Sequence, residues 1–353
     1  MIGYSIEDAR NADSARRVQK RENKLQDILD VQAEGKMTFK ELTKWWLSLE
    51  NVKARSDVWR LALGAGNFNA VFGDKRVCDV RLSDLKNYQA TRKRAGAADR
   101  TIDAETHDAA KTMVRAAWLD NKISKKTWTT WELFKKLLSG KNRRSNARSR
   151  VLEIGEYCRL TDHLSKHLVP LVATALYTGA REGELIPIYN GGNPTKGLTH
   201  DRIDFKNGII KLDGKTGRRE IPMCKGLRDV LQAIPRPLRD PAKHHVFMFR
   251  GRALTNPWAG LQAACKEADI PYGAKVEGGF VFRDLRRTAK TLMARAGVDK
   301  AYRDAILGHE PQDMDAHYMK PSIDDLRAAV ERFGAWLDVQ ITAAQKQVQK
   351  GMS

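Results

Sequence analysis

Five short stretches of this 353-residue sequence hold side chains that together could act on a phosphodiester. Thr178-Gly179-Ala180-Arg181-Glu182-Gly183-Glu184-Leu185 places an arginine behind a glycine. Asp213-Gly214-Lys215-Thr216-Gly217 sets a lysine in a turn. Phe282-Arg283-Asp284-Leu285-Arg286-Arg287-Thr288 is dense in arginine. Leu307-Gly308-His309-Glu310 carries a histidine, and Tyr318, in Ala316-His317-Tyr318-Met319, follows that histidine by nine residues. Breaking a phosphodiester without a metal needs a nucleophile, cations on the non-bridging oxygens and an acid for the departing oxygen. A tyrosine, arginines and a lysine are suited to those tasks. Arginine fits the second because its planar fork binds phosphate oxygens bidentately and keeps its charge. The sequence has no HExxH, no carboxylate cluster of the two-metal type and no Walker loop, so it offers no familiar metal or nucleotide site for such chemistry. Asn190-Gly191-Gly192-Asn193 reads only as a loop. Each stretch alone is ordinary. An arginine at a helix start usually faces solvent, Leu-Gly-His suits a helix C-cap, and a lone tyrosine commonly borders a core. Order and spacing carry the reading.

The elements that position these residues follow from periodicity. Thr38 is a plausible N-cap ahead of Phe39, Leu42, Trp45, Trp46 and Leu49. Helical spacing continues over Val58–Val71, Leu82–Ala95, with Ser83 as its cap, and Ala104–Asp120. Trp45, Trp46, Trp59 and Trp118 recur on apolar helical faces, which predicts core positions. Residues 139–150 are polar, contain glycine and lack an apolar period, so they read as a linker. Beyond them Leu168–Leu176 is helical in spacing. Ile203–Phe205, Lys206-Asn207-Gly208 and Ile209–Leu212 form a hairpin signal, because Asn-Gly suits a tight turn. Asp213-Gly214 predicts a second turn and Arg219–Met223 a third strand. Leu261–Ala268, Leu285–Ala296, Ala301–Leu307, Ile323–Leu337 and Ile341–Val348 return to helical spacing.

Composition bounds the partner. The chain carries 63 Lys+Arg against 43 Asp+Glu, a formal net charge of +20. Residues 1–150 hold 32 basic and 19 acidic residues, and the remainder 31 and 24. Both halves are cationic, which points to a polyanion, nucleic acid first. Cys78, Cys158, Cys224 and Cys265 are dispersed and form no CxxC pair, which suits a reducing compartment. No apolar window is long enough for a membrane span. Charges interrupt the N-terminus before any signal-peptide core, so a cytoplasmic protein is expected. The length predicts two domains. Their bounds are a charged extension over 1–36, a helical DNA-binding domain over 37–138, a basic linker over 139–150, a second domain over 151–337 and a tail over 338–353. Arg16, Arg17, Lys20, Arg21 and Lys24 in the extension read as a solvated helix.

In order, spacing and local setting, the five stretches resemble the tyrosine recombinase (phage integrase) family over residues 150–335. The resemblance implies an α+β chain, mainly helical with a small antiparallel sheet, in which a helical N-terminal clamp domain precedes the catalytic domain. It implies that Arg181 and Arg286 clamp the scissile phosphate and Lys215 protonates the leaving 5′ oxygen. His309 contacts the phosphate or positions the nucleophile, Tyr318 attacks to form a 3′-phosphotyrosyl link, and Glu184 orients Arg181. The covalent link stores the phosphoester energy, so no cofactor, metal or ATP is implied. The family usually has His where this chain has Arg283, and an arginine adds a phosphate cation but is a poor base. Arg92, Lys93, Arg94, Arg143, Arg144, Arg148, Arg218, Arg219 and Arg287 are expected to hold DNA without cutting it. The implied partners are double-stranded DNA attachment sites, further copies forming a tetramer on DNA, and accessory DNA-bending or excision factors. The implied reaction is integration of a phage or other mobile element. A type IB topoisomerase-like enzyme, a chromosome-dimer resolvase and a non-catalytic DNA-binding protein are the alternatives. The tail after the nucleophile is expected to pack either on a neighbouring protomer or on its own domain.

Overall fold

The computed structural model describes residues 10–11, 13–22, 37–138, 148–189, 194–214, 217–309 and 321–351. Lys215, Tyr318, Arg143, Arg144 and the loop at 190–193 lie outside the described residues. The chain divides into two units, residues 1–147 and 148–353, so the boundary falls inside the polar 139–150 stretch.

The first unit is helical. Residues 10–11 and 13–22 are helical and exposed. Helix α1 (Phe39–Ser48) begins at Thr38, whose hydroxyl accepts from the Glu41 N–H while Glu41 returns the bond to the Thr38 N–H. This capping box satisfies two otherwise orphan donors. Helices α2 (Glu50–Lys53), α3 (Val58–Phe72) and α4 (Leu82–Arg94) follow. Helix α4 is capped from Arg81, closed by Asp84, so Ser83 lies within the helix rather than at its cap. Helix α5 (Asp99–Asp103) runs through a π-helical stretch, Ala104–Lys111, into α6 (Thr112–Leu119). Gly64 of α3 lies against that stretch, where an added Cβ would meet the Ala104 carbonyl at 3.2 Å. Helix α7 (Lys125–Leu133) completes the unit. Phe68 meets Phe39 edge to face and Tyr88 and Trp131 at a tilt, around one core. Trp46 is buried as expected, Trp45 and Trp118 pack at its margin, and Trp59 is exposed. Trp59 sits near the start of α3, on the face opposite Leu61, Ala65 and Phe68.

The second unit surrounds a three-stranded antiparallel sheet with helices. Its elements are α8 (Ile154–His163), α9 (Val169–Thr178), α10 (Glu182–Leu185), β1 (Ile203–Asp204), β2 (Ile209–Gly214) and β3 (Gly217–Pro222). Then come α11 (Lys225–Gln232), a small hairpin of β4 (Met248–Phe249) and β5 (Arg252–Ala253), α12 (Trp258–Glu267), α13 (Asp284–Arg295), α14 (Lys300–Leu307) and α15 (Ile323–Gly351). The sheet order is β1-β2-β3. Ile210 pairs with Ile221 and both turn inward, while Lys211 pairs with Glu220 on the outer face. Asp213 and Gly214 are strand residues paired with Arg218 and Gly217. The Asp-Gly pair therefore lies in the strand rather than in the turn. The core gathers Leu171, Val172 and Leu176 of α9, Leu285, Ala289 and Leu292 of α13, and Leu326, Val330, Phe333 and Leu337 of α15. The tail thus packs on its own unit. Its Asp338 accepts a hydrogen bond from the Tyr177 hydroxyl at 2.5 Å, and Ile341 still touches the core. All four cysteines are free thiols, and Cys158, Cys224 and Cys265 are buried.

Candidate active site

Two helices end side by side in left-handed glycines. Helix α9 closes on Gly179 (φ 60°) and α14 on Gly308 (φ 64°). Only glycine adopts that backbone without strain. At Gly179 a Cβ would also strike the Leu307 side chain. Arg181, two residues beyond Gly179, and His309, directly after Gly308, are thereby launched from two neighbouring helix ends, where orphan carbonyls give a negative end to each dipole.

Arg286, on the first turn of α13, reads those carbonyls. One terminal nitrogen donates to the Gly179 carbonyl at 2.8 Å and the other to the Leu307 carbonyl at 2.6 Å. It joins the ends of α9 and α14 and leaves three of its five N–H donors unspent on described residues. Burial first, then the neighbouring charges of Arg181 and Arg219, push its pKa down to about 10. It stays charged at neutral pH, held among like charges.

Glu184 offsets part of that charge. Its carboxylate is 2% exposed and binds Arg219 through both oxygens, at 2.9 and 2.8 Å. It also accepts from the Arg181 guanidinium at 3.0 Å and from the Arg181 backbone N–H at 2.7 Å. Burial alone would raise its pKa, yet the two arginines hold it below the ordinary carboxylate range. Arg219 in turn donates to the Ile306 carbonyl at 2.8 Å and lies beneath Gly308. One carboxylate and one arginine therefore tie α10, the β3 strand and the end of α14 together. Gly214 sits against the same pair, since a Cβ there would meet Glu184 and lie 3.3 Å from Arg181. The strand that leads to Lys215 thus arrives beside Arg181. Removing a partner from a buried, hydrogen-bonded pair strands the remaining charge. Glu184→Ala is expected to cost about 3 kcal/mol of stability, read as a lowered midpoint in chemical denaturation, with Arg219→Ala giving a loss of similar size.

His309 is held through one nitrogen. Its Nδ1 lies 3.0 Å from Asp304, which also accepts from Lys290 at 2.8 Å. Those two cationic partners hold the Asp304 carboxyl down to about 2, against its burial. Burial lowers the His309 pKa despite Asp304, with Arg286 and Lys290 acting in the same direction. The bond to Asp304 leaves Nε2 as the nitrogen available to a ligand.

The remaining expected cations divide. Arg283 is exposed at the start of α13, and its charge acts on Glu182. The Glu182 carboxyl accepts from the Trp258 indole N–H at 2.6 Å, and its burial raises its pKa. Arg218 is exposed and pairs with Asp213. Lys93 is exposed beside Asp99, and Arg94 is exposed. Arg287 is half-buried, with one terminal nitrogen lacking a partner among described residues. Three of the expected cations are paired with buried carboxylates. Arg92 is committed to the buried Glu105 at 2.6 and 2.9 Å, alongside Tyr88 and Asn67. Arg219 is bound as described above. Arg148 is bound to Asp284 through two nitrogens. In each case a buried carboxylate claims the guanidinium, as a buried charge requires. Sequence reading missed Glu182, Trp258, Asp304 and Lys290. Nothing in their residue types separates them from surface residues, although Glu182 adjoins Arg181.

No family model matches the chain, and no curated protein matches it by sequence. Solved structures do match. The Tn1549 transposon integrase in complex with transposon right end DNA shares 20% identity over 84% of this chain and 100% of that one, with a TM-score of 0.58. A lambda integrase tetramer bound to a Holliday junction shares 14% identity over 83% of this chain and 82% of that one, with a TM-score of 0.64. A lambda integrase (75–356) dimer bound to a COC' core site shares 13% identity over 81% and 99%, with a TM-score of 0.62. Helices α9, α13 and α14, the three-stranded sheet and the motif order agree with that likeness: the chain has the fold of the tyrosine recombinases.

Proposed function

We propose that this chain is a site-specific DNA recombinase of a phage or other mobile element, acting in the cytoplasm through a 3′-phosphotyrosyl intermediate. The observation that carries the reading is the convergence of Arg181, Arg286 and His309 at two joined helix ends, with the hairpin arm of Lys215 beside them. Cations crowded at one place are costly until an anion arrives, and a phosphate would repay that cost. Arg181 and Arg286 hold the non-bridging oxygens. His309, held by Asp304 through Nδ1, is protonated as the phosphate's negative charge arrives and then donates from Nε2. The Tyr318 oxygen attacks phosphorus and gives up its proton to solvent, the bond to the 5′ oxygen breaks, Lys215 delivers the proton that this oxygen takes up, and solvent returns a proton to Lys215. Reversal with a 5′ hydroxyl from a second duplex completes transfer without ATP. Four copies on two duplexes provide the exchange, as the lambda integrase tetramer on a Holliday junction suggests.

The test uses a randomised pool of nicked duplexes, from which a fragment beyond the cut diffuses away and traps the covalent complex. The expected result is a denaturation-resistant protein–DNA adduct, formed equally with and without EDTA and enriched in one sequence. Loss of the adduct in EDTA would refute the metal-free step. Adducts with no sequence enrichment, together with relaxation of any supercoiled plasmid, would favour a solitary DNA-relaxing enzyme.

A further inference from the structure

Arg148 is the first residue of the second unit. Four of its five N–H donors are engaged: Nε and one terminal nitrogen donate to the two oxygens of Asp284, at 3.1 and 2.6 Å. That same nitrogen donates to the Gly279 carbonyl, and the other to the Ala274 carbonyl at 2.8 Å. Asp284 is 3% exposed, and the same carboxylate accepts from the Val281 N–H at 3.0 Å. It therefore closes the turn Val281-Phe282-Arg283 that opens α13. Asp284 adjoins Arg283 and stands two residues before Arg286. One turn on, the Thr288 hydroxyl accepts from the Leu152 N–H at 2.9 Å and donates to the Asp284 carbonyl. The segment 148–152 is thus fastened twice along the start of the arginine-bearing helix.

A bidentate arginine–carboxylate pair fixes orientation as well as distance. The carboxylate held here stands in sequence between Arg283 and Arg286, an arginine of the proposed phosphate clamp, and shapes the turn that aims both. We infer that Arg148 is a positioning residue for Arg283 and Arg286: it sets the start of α13 and does not touch DNA. This assignment rests on the recombinase reading. An error of about 1 Å in a clamp of this kind can cost about a hundredfold in rate while leaving binding intact.

The experiment compares Arg148→Ala, Arg148→Lys and Asp284→Asn in the full chain with the wild type. The probe is the nicked duplex recovered from the randomised pool by wild-type covalent capture. Two quantities are measured: the dissociation constant over a range of salt, and the single-turnover rate of adduct formation at saturating protein. Arg148→Ala is expected to lower the saturated rate about tenfold or more, with the dissociation constant within about threefold and its salt slope unchanged. Asp284→Asn should do the same. Arg148→Lys, which keeps charge but not the fork, should recover only part of the rate. If Arg148→Ala fails to fold, the lysine and asparagine variants decide by the same criteria. A weaker dissociation constant and a shallower salt slope at an unchanged saturated rate would make Arg148 a DNA contact and overturn the inference. Unchanged rate and affinity would overturn it too. Absence of any wild-type adduct would instead refute the recombinase reading beneath it.

Discussion

Tyr318→Phe is expected to bind duplex DNA about as tightly as the wild type, within about threefold, and to form no covalent adduct. The substitution removes one oxygen and keeps the ring, so packing around it changes little. No cation or phosphate contact is lost, and the phosphate-driven share of binding persists. What disappears is the atom that would attack phosphorus. Binding is read by titration and attack by the trapped adduct. The two together separate a lost nucleophile from a lost fold. Residual adduct at the wild-type rate would place the nucleophile on another side chain.

Arg286→Ala carries the next largest effect, and it acts twice. The guanidinium would supply charge and fixed donors to a phosphate in a site from which water is partly excluded. Losing one such donor set typically costs about a hundred- to a thousandfold in rate. It also joins the Gly179 and Leu307 carbonyls, and so the ends of α9 and α14. Arg286→Lys separates the two roles. A lysine restores charge but cannot span two carbonyls and a phosphate with one nitrogen. Single-turnover rates should fall by about a thousandfold for alanine and by clearly more than tenfold for lysine. Thermal stability should drop in both. A lysine variant with wild-type rate would show that charge alone suffices and that the bridging geometry is incidental.

Some of this was legible in the sequence and some was not, for physical reasons. The Asn-Gly turn, the glycine C-caps and the Thr38 N-cap were readable, because they are local backbone chemistry written in adjacent residues. Leu-Gly-His was open to two readings, a C-cap or a site, and both describe it: Gly308 ends α14 in the left-handed region and so delivers His309. Arg181 and Arg286 were legible only through motif order. Their convergence depends on α9 packing against α13, where Gly179 lies over Ala289, a contact remote in sequence. The helix Lys125–Leu133 was missed because only Trp128 and Trp131 of its buried residues are large and apolar, among polar neighbours. Arg92, Arg148 and Arg219 looked like surface cations. Each is claimed by a carboxylate at least 13 residues away, Glu105, Asp284 or Glu184, and such pairing leaves no local trace. Conversely, Trp59 looked like core and is exposed, because a tryptophan's burial is set by which turn of the helix faces its neighbours.

The account stands most directly on the identity of one covalent bond. Trypsin cuts after Arg303 and, because Pro321 protects Lys320, next after Arg327, yielding the peptide Asp304–Arg327, which contains one tyrosine, Tyr318, one serine, Ser322, and no threonine or cysteine. The wild-type adduct should be trapped on the nicked duplex, digested with nuclease and trypsin, and analysed by fragmentation mass spectrometry. The account predicts this peptide carrying a nucleotide through its 3′ phosphate, with the added mass on Tyr318. A nucleotide on any other peptide, or on His309, His317 or Ser322 of this one, would contradict it.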